Sequence, residues 1–150
     1  MILRVLPVVS LAAVLVSGLA IACSTSAAPP VPRVEVHHSW ARIADSGATS
    51  GAYMEIANND TVAITLVGVT TSDAAAAEVH ETMQDGDMAH MMPRTDVRIP
   101  AGDVVTMAPG GLHVMLVNVR RALVIGDSVR LRLRFSDSTT VAVTAPVHTP

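Results

Sequence analysis

Between His80 and Met115 the chain gathers six of its eight methionines (Met83, Met88, Met91, Met92, Met107, Met115) and three of its six histidines (His80, His90, His113). Thioethers and imidazoles are neutral, soft-to-borderline ligands, the set that suits a soft singly charged ion such as Cu(I). A hard cation such as Ca²⁺ or Mg²⁺ asks for a cage of oxygens instead. Neutral ligands leave Cu(I) with a single positive charge, whereas a dication would keep a double one uncompensated. Thioethers do not titrate, so pH acts on such a site through its imidazoles, and binding weakens below about pH 6.5. Methionine is also a common filler of irregular core gaps, and Met54, Met92 and Met107 read as structural on that ground. A core has no use for three histidines beside the other methionines, so the window reads as metal-binding.

Ligands of this kind need elements that hold them together, and the pattern supplies strands. Residues two apart on a strand project to one face. In the strand predicted over Leu112–Val119, His113 and Met115 therefore point together, while Leu112, Val114 and Leu116 point the other way into apolar packing. Asp85-Gly86 signals a hairpin between Glu78–Met83 and Met88–Met92, since Asp-Gly favours the tight turns that join antiparallel strands. That hairpin brings His80 near the second arm. Across it the candidates for further ligands are His80, Met83, Met88, His90, Met91 and Met92. His37 and His38, near the N-terminal edge, offer a weaker Cu(II) position, with plain surface histidines as the alternative.

The remaining pattern is one of short strands and frequent turns. Strands are predicted over Val34–Trp40, Tyr53–Ala57, Thr61–Val69, Val97–Ile99, Val104–Met107, Ser128–Phe135 and Thr139–Ala145, with turn residues between them. In the first, Val34, Val36 and His38 share one face and Glu35 and His37 the other. Ser72–Glu78, with four consecutive alanines, predicts one or two helical turns capped by Ser72 or Asp73. Arg130, Arg132 and Arg134 alternate with apolar residues and read as the solvated face of the last hairpin. The fold class is all-β, a Greek-key sandwich in a single domain. Its core must be aliphatic, because Trp40, Tyr53 and Phe135 are the chain's three aromatic residues.

Residues 1–22 predict an export signal: Arg4 precedes an apolar run that ends in small residues without a basic flank. The single cysteine, Cys23, ends Leu-Ala-Ile-Ala-Cys, which resembles a bacterial lipobox, so it is expected to carry a lipid. Residues 23–33 then form a Ser/Ala/Pro-rich tether to the membrane, 34–147 the β-sandwich, and 148–150 a short tail. The expected location is extracytoplasmic, periplasmic or membrane-anchored. The net charge is −3 and there is no lysine; nucleic acid is not an expected partner, since phosphate binding needs clustered cations.

His80, ten residues, Met91, twenty-one residues, His113, one residue, Met115: this spacing resembles the signature of the PCu(A)C family of bacterial extracytoplasmic copper chaperones. Val-His-Glu-Thr at 79–82, Ile-Pro-Ala-Gly at 99–102, Pro-Gly-Gly-Leu-His-Val-Met-Leu at 109–116 and Gly-Asp at 126–127 resemble it too. The resemblance covers roughly Val34–Val147. It implies a cupredoxin-like sandwich that binds one Cu(I) through His80, Met91, His113 and Met115. It also implies delivery to the dinuclear copper site of cytochrome c oxidase subunit II, alongside a thiol-bearing chaperone of the Sco type. Met83, Met88 and His90 are then left as auxiliary residues, guiding copper to the site or capturing a second ion. Two features depart from the family: the His- and Met-rich C-terminal tail of many members is reduced to His148, and the lipobox implies a tethered form.

Other classes fit less well. A blue-copper electron carrier needs a thiolate beside its histidines, and Cys23 lies outside the domain. No nucleophile elbow, phosphate loop or His-Glu-x-x-His occurs, so an enzyme is not expected. A copper storage or resistance protein using the same ligands without delivery is the alternative.

Overall fold

The computed structural model describes residues 31–149; the predicted signal, Cys23 and the tether up to residue 30 lie outside the described residues. Ten strands make up the fold: β1 (Val34–Arg42), β2 (Ser50–Asn58), β3 (Ile64–Thr71), β4 (Ala74–Asp85), β5 (Met88–Pro93), β6 (Val97–Ile99), β7 (Val104–Met107), β8 (Leu112–Val119), β9 (Ser128–Phe135) and β10 (Thr140–His148). No helix occurs among the described residues.

The strands run β5-β4-β8-β2-β1-β10-β9-β3-β6, with β7 also paired to β2. Almost every neighbour pair is antiparallel; β1 and β10 are parallel and meet at Ala41 opposite Val147 and Arg42 opposite His148. That short joint divides the path into two layers of a Greek-key sandwich, as the strand pattern predicts. Val31–Pro150 form one compact unit, and the whole apolar core belongs to it: Ala52, Met54, Ile56, Met107, Val114 and Leu116 from one layer meet Ile64, Leu66, Leu131, Leu133, Phe135 and Val143 from the other. This unit therefore carries its own fold. Met54 and Met107 are the core fillers expected of them, and they face each other across β2 and β7.

Three local readings change. Ala74–Ala77 is not a helical turn but the start of β4, paired with β8 from Ala74 opposite Val119 onward. Alanine is a good helix former, but strand pairing over a half-buried surface outweighs a weak local preference. His38 leaves the face of Val34 and Val36, because it takes φ 51° at a register shift between His37 and Trp40. Such a bulge adds a residue to one strand and re-aims the neighbouring side chains. The hairpin after β4 turns on Gly86-Asp87, where Gly86 supplies φ 61°, a first-position glycine that a two-residue loop accepts without strain. The arginine stripe lies as predicted: Arg130, Arg132 and Arg134 are exposed between buried Val129, Leu131, Leu133 and Phe135.

Candidate metal centre

The first layer has an inner face toward the core and an outer face, and the pleat assigns each residue to one of them. Val79 is opposite Val114, and both turn inward. His80 is opposite His113 and Glu78 opposite Met115, on the outer face. Across the next pair Gly51 lies opposite Met115, so the outer face continues onto β2, where Tyr53 comes two residues later. On the far side Thr82 lies opposite Met91, so Met91 on the edge strand β5 shares the face of His80. One face thus carries His80, Met91, His113 and Met115 side by side over three neighbouring strands.

Although this face is the outer one, the two imidazoles are recessed: His80 is 8% and His113 7% exposed. The segment between β1 and β2 borders His113. Residues from it, with Gly51, Tyr53, Met91, His113 and Met115, line a depression of about 270 Å³. Met91 stands at its rim, 62% exposed.

Each imidazole has one nitrogen committed to a neighbour. The Nδ1–H of His113 donates to the Gly111 carbonyl at 3.0 Å, because a carbonyl can only accept; this leaves Nε2 with its lone pair. The same carbonyl accepts the backbone N–H of Thr82 at 3.1 Å, which ties the Pro109-Gly110 turn to β4. His80 takes the other tautomer. Its Nε2–H donates to the Glu78 carboxylate at 3.0 Å, leaving Nδ1 as the acceptor. That Nδ1 is buried and has no hydrogen-bond partner, alone among buried side-chain polar atoms of the described residues. An unsatisfied buried acceptor costs about 1–3 kcal/mol, and a bound ion would remove that cost. The ring centroids of His80 and His113 are 6.1 Å apart, a span that one ion bridges with metal–nitrogen bonds of about 2 Å. Among the described residues no three His, Cys, Asp or Glu side chains converge as ligands; the other donors on this face that suit a soft ion are the thioethers of Met91 and Met115.

The other histidines and methionines fall elsewhere. Met83, Met88 and His90 project from the opposite face of the β4–β5 hairpin and do not surround the recessed imidazoles. Met92, read as structural, is exposed on that same opposite face. His38 Nδ1 lies 3.0 Å from Glu55 and His37 Nε2 3.4 Å from Glu35, both at the surface, with no third donor of the His, Cys, Asp or Glu type.

Sequence reasoning missed three contributors. Glu78 sets the His80 tautomer; the signal was its place two residues before His80 in the predicted arm Glu78–Met83, and it was left unused. The Gly111 carbonyl carried no signal beyond lying in a turn. Tyr53 stacks with Trp40 at 4.5 Å between centroids, and its ring lies 6.3 Å from that of His113. It walls the depression because Gly51 has no side chain: a Cβ there would come within 2.6 Å of the Tyr53 hydroxyl.

Comparisons with known proteins place this geometry among relatives. Residues 34–147 match the family described as "Putative lipoprotein LpqE-like". A "Putative lipoprotein" of Leifsonia xyli subsp. xyli is 34% identical over 150 residues, which cover 96% of this chain and 90% of that one. The copper-bound PCuAC domain from PmoF2 superposes with a TM-score of 0.66 at 26% identity, over 81% of this chain and 97% of the other. The Cu(I)-bound DR1885 protein of Deinococcus radiodurans does so at 0.59 and 32% identity, over 76% of this chain and 78% of its own. The fold is accordingly the cupredoxin-like β-sandwich.

Proposed function

The chain belongs to the LpqE-like family, and from that premise we propose that it is an extracytoplasmic Cu(I) carrier, tethered to a membrane through a lipid on Cys23. It holds one ion through His80, Met91, His113 and Met115 and is a chaperone, not an enzyme. The buried, partnerless Nδ1 of His80 carries this reading, because it lies beside a second imidazole whose free nitrogen is also fixed by its neighbour. Two imidazoles and two thioethers are all neutral, which suits a monovalent soft ion. The copper held by the PCuAC domain of PmoF2 and by DR1885 supports the same choice of metal.

A carrier must also let go. The two imidazoles are recessed, whereas Met91 is largely exposed on the edge strand. An acceptor's ligand displaces the Met91 thioether first, and the ion passes while still held by the histidines. A store would bury its ion behind all its ligands. The acceptor is the dinuclear copper site of cytochrome c oxidase subunit II, with a Sco-type thiol chaperone as a second participant.

The test is an anaerobic Cu(I) titration of the Val31–Pro150 unit against a competing chelator, with X-ray absorption on the tightest equivalent. Mixed nitrogen and sulfur ligation that is lost in His113→Ala is expected; absence of chelator-competitive binding overturns the reading. Deleting the gene then separates delivery from storage. Delivery predicts lost oxidase activity under copper limitation, and storage predicts copper sensitivity with normal oxidase.

A further inference from the structure

The β4–β5 hairpin carries ligand chemistry on both faces. In its register Met83 lies opposite His90, Asp85 opposite Met88 and Glu81 opposite Met92. Opposed residues share a face, as do residues two apart along a strand, so Met83, Met88, His90 and Met92 form one group. His80 and Met91 belong to the other face. Opposed Cβ atoms stand about 4.5–5.5 Å apart and diagonal ones about 7–8 Å, so the side chains of Met83, Met88 and His90 can converge, whereas Met92, four residues beyond Met88 at about 3.4 Å per residue, is too far from Met88 to share an ion with it.

These methionines lie outside the core. Met83, Met88 and Met92 are 53%, 63% and 53% exposed, and none belongs to the core that Met54 and Met107 fill. Three large apolar side chains left in water on a short hairpin ask for another explanation, and the imidazole in their midst supplies one. The surroundings favour a cation: Asp85 and Glu81 share the face, and Asp87 sits in the turn. The nearby Arg94 is bonded to Glu81 at 2.9 Å.

We infer that this back face of the hairpin is a second soft-metal site, which takes one Cu(I) or Ag(I), at the end that carries Asp85 and Asp87, through the thioethers of Met83 and Met88 and the imidazole of His90. It shares no ligand with His80, Met91, His113 and Met115, so it stands or falls separately from the proposed carrier site. Its ligands are all exposed and sit on an edge, so its ion exchanges faster and binds more weakly than one held by the recessed histidines. Met91 lies between His90 and Met92 in the chain, which puts the two ions back to back across one strand.

Methionine methyl NMR of the Val31–Pro150 unit, titrated with Ag(I), tests this directly. The methyl signals of Met91 and Met115 are expected to move in one phase, and those of Met83 and Met88 in a second, weaker one. The double variant Met83→Leu/His90→Gln should abolish the second phase, keep the first and drop the stoichiometry from two ions to one. All changed side chains are exposed, so folding is not at stake. Methyls of Met83 and Met88 that stay still in excess Ag(I), or a Met88 methyl that moves unchanged in the double variant, overturn the site. Movement of the Met83 and Met88 methyls with Met91 and Met115 silent upholds it and defeats the carrier site instead.

Discussion

His80 and His113 face each other across β4 and β8 with their ring centroids 6.1 Å apart, and they are held in opposite tautomers. Glu78 takes the Nε2–H of the first, and the Gly111 carbonyl takes the Nδ1–H of the second. A flexible pair would have to be oriented when an ion arrives; this pair presents its two lone pairs beforehand. Neighbours that fix the tautomer of a ligand histidine also raise its basicity. The recessed half of the proposed centre is therefore oriented in advance, and Met91 is its exposed half.

Removing the orienting carboxylate should weaken binding without harming the fold. Glu78 is exposed on its strand, so Glu78→Ala is expected to move the urea midpoint little. Cu(I) affinity, measured by chelator competition, should fall on the order of 10–100-fold, the usual effect of losing such a neighbour. Glu78→Gln should retain most of the affinity, because its amide oxygen still accepts from Nε2–H. Equal losses in both variants would mean that the charge matters rather than the orientation.

Under the proposed function the methionines of this chain have two jobs, and substitution separates them. Met107 is buried against Met54, so Met107→Ala should cost about 2–5 kcal/mol of stability and leave Cu(I) affinity intact. Met115→Leu keeps the volume and should cost less than about 1.5 kcal/mol, while weakening binding at the His80–His113 centre. Denaturant unfolding and chelator competition on both variants make the comparison. Reversed outcomes would exchange their roles.

Much of the fold was legible in the residues themselves. Alternation over Leu112–Val119 and Ser128–Phe135 placed both strands with the observed bounds, because one-sided burial writes a period of two into the sequence. His113 and Met115 came together by the same rule. What stayed hidden depended on partners distant in the chain. Ala74–Ala77 looks helical in isolation, and only its pairing with β8 makes it a strand. Alternation alone could not divide the methionines between the two faces of the hairpin; the resemblance did so for Met91. Which of them accompany His80 depends on the register Thr82 opposite Met91, and shifting a hairpin by one residue reverses every face.

Tyr53 gives a further test of the wall of the depression. An added methyl at Gly51 would meet the Tyr53 hydroxyl at 2.6 Å and its ring carbon at 2.9 Å. Gly51→Ala should force the ring off its place beside His113 and cost about 1–3 kcal/mol, as overpacking does. Tyr53→Leu in the same chain should recover part of that loss, which thermal unfolding of the single and double variants would reveal. Additive losses would show that Gly51 is needed for its backbone instead.

Acid should loosen the domain at three turns at once. The carboxyl of Asp60 is held below the usual range by the Thr61 N–H and then by Arg33. That of Asp127 is lowered by the Val124 N–H and Arg121, and that of Asp137 by the N–H and hydroxyl of Thr139 and by Arg33. Arg33 binds both Asp60 and Asp137, the latter at 2.7 Å, and so clips the start of β1 to the turns after β2 and β9. A depressed folded pKa means that the unfolded chain binds the proton more readily, so the stabilisation is fully present above the unfolded value of about 3.9 and is lost as pH falls through the folded one. The urea midpoint of the Val31–Pro150 unit should be flat above about pH 5 as far as these groups decide it, and should decline below about pH 4. Asp137→Asn should lower the midpoint at neutral pH, and its curve should converge with the parent's in acid, where the parent's Asp137 is itself protonated. A constant gap between the curves across the acid range would show that Asp137 acts through hydrogen bonds that its protonation does not weaken.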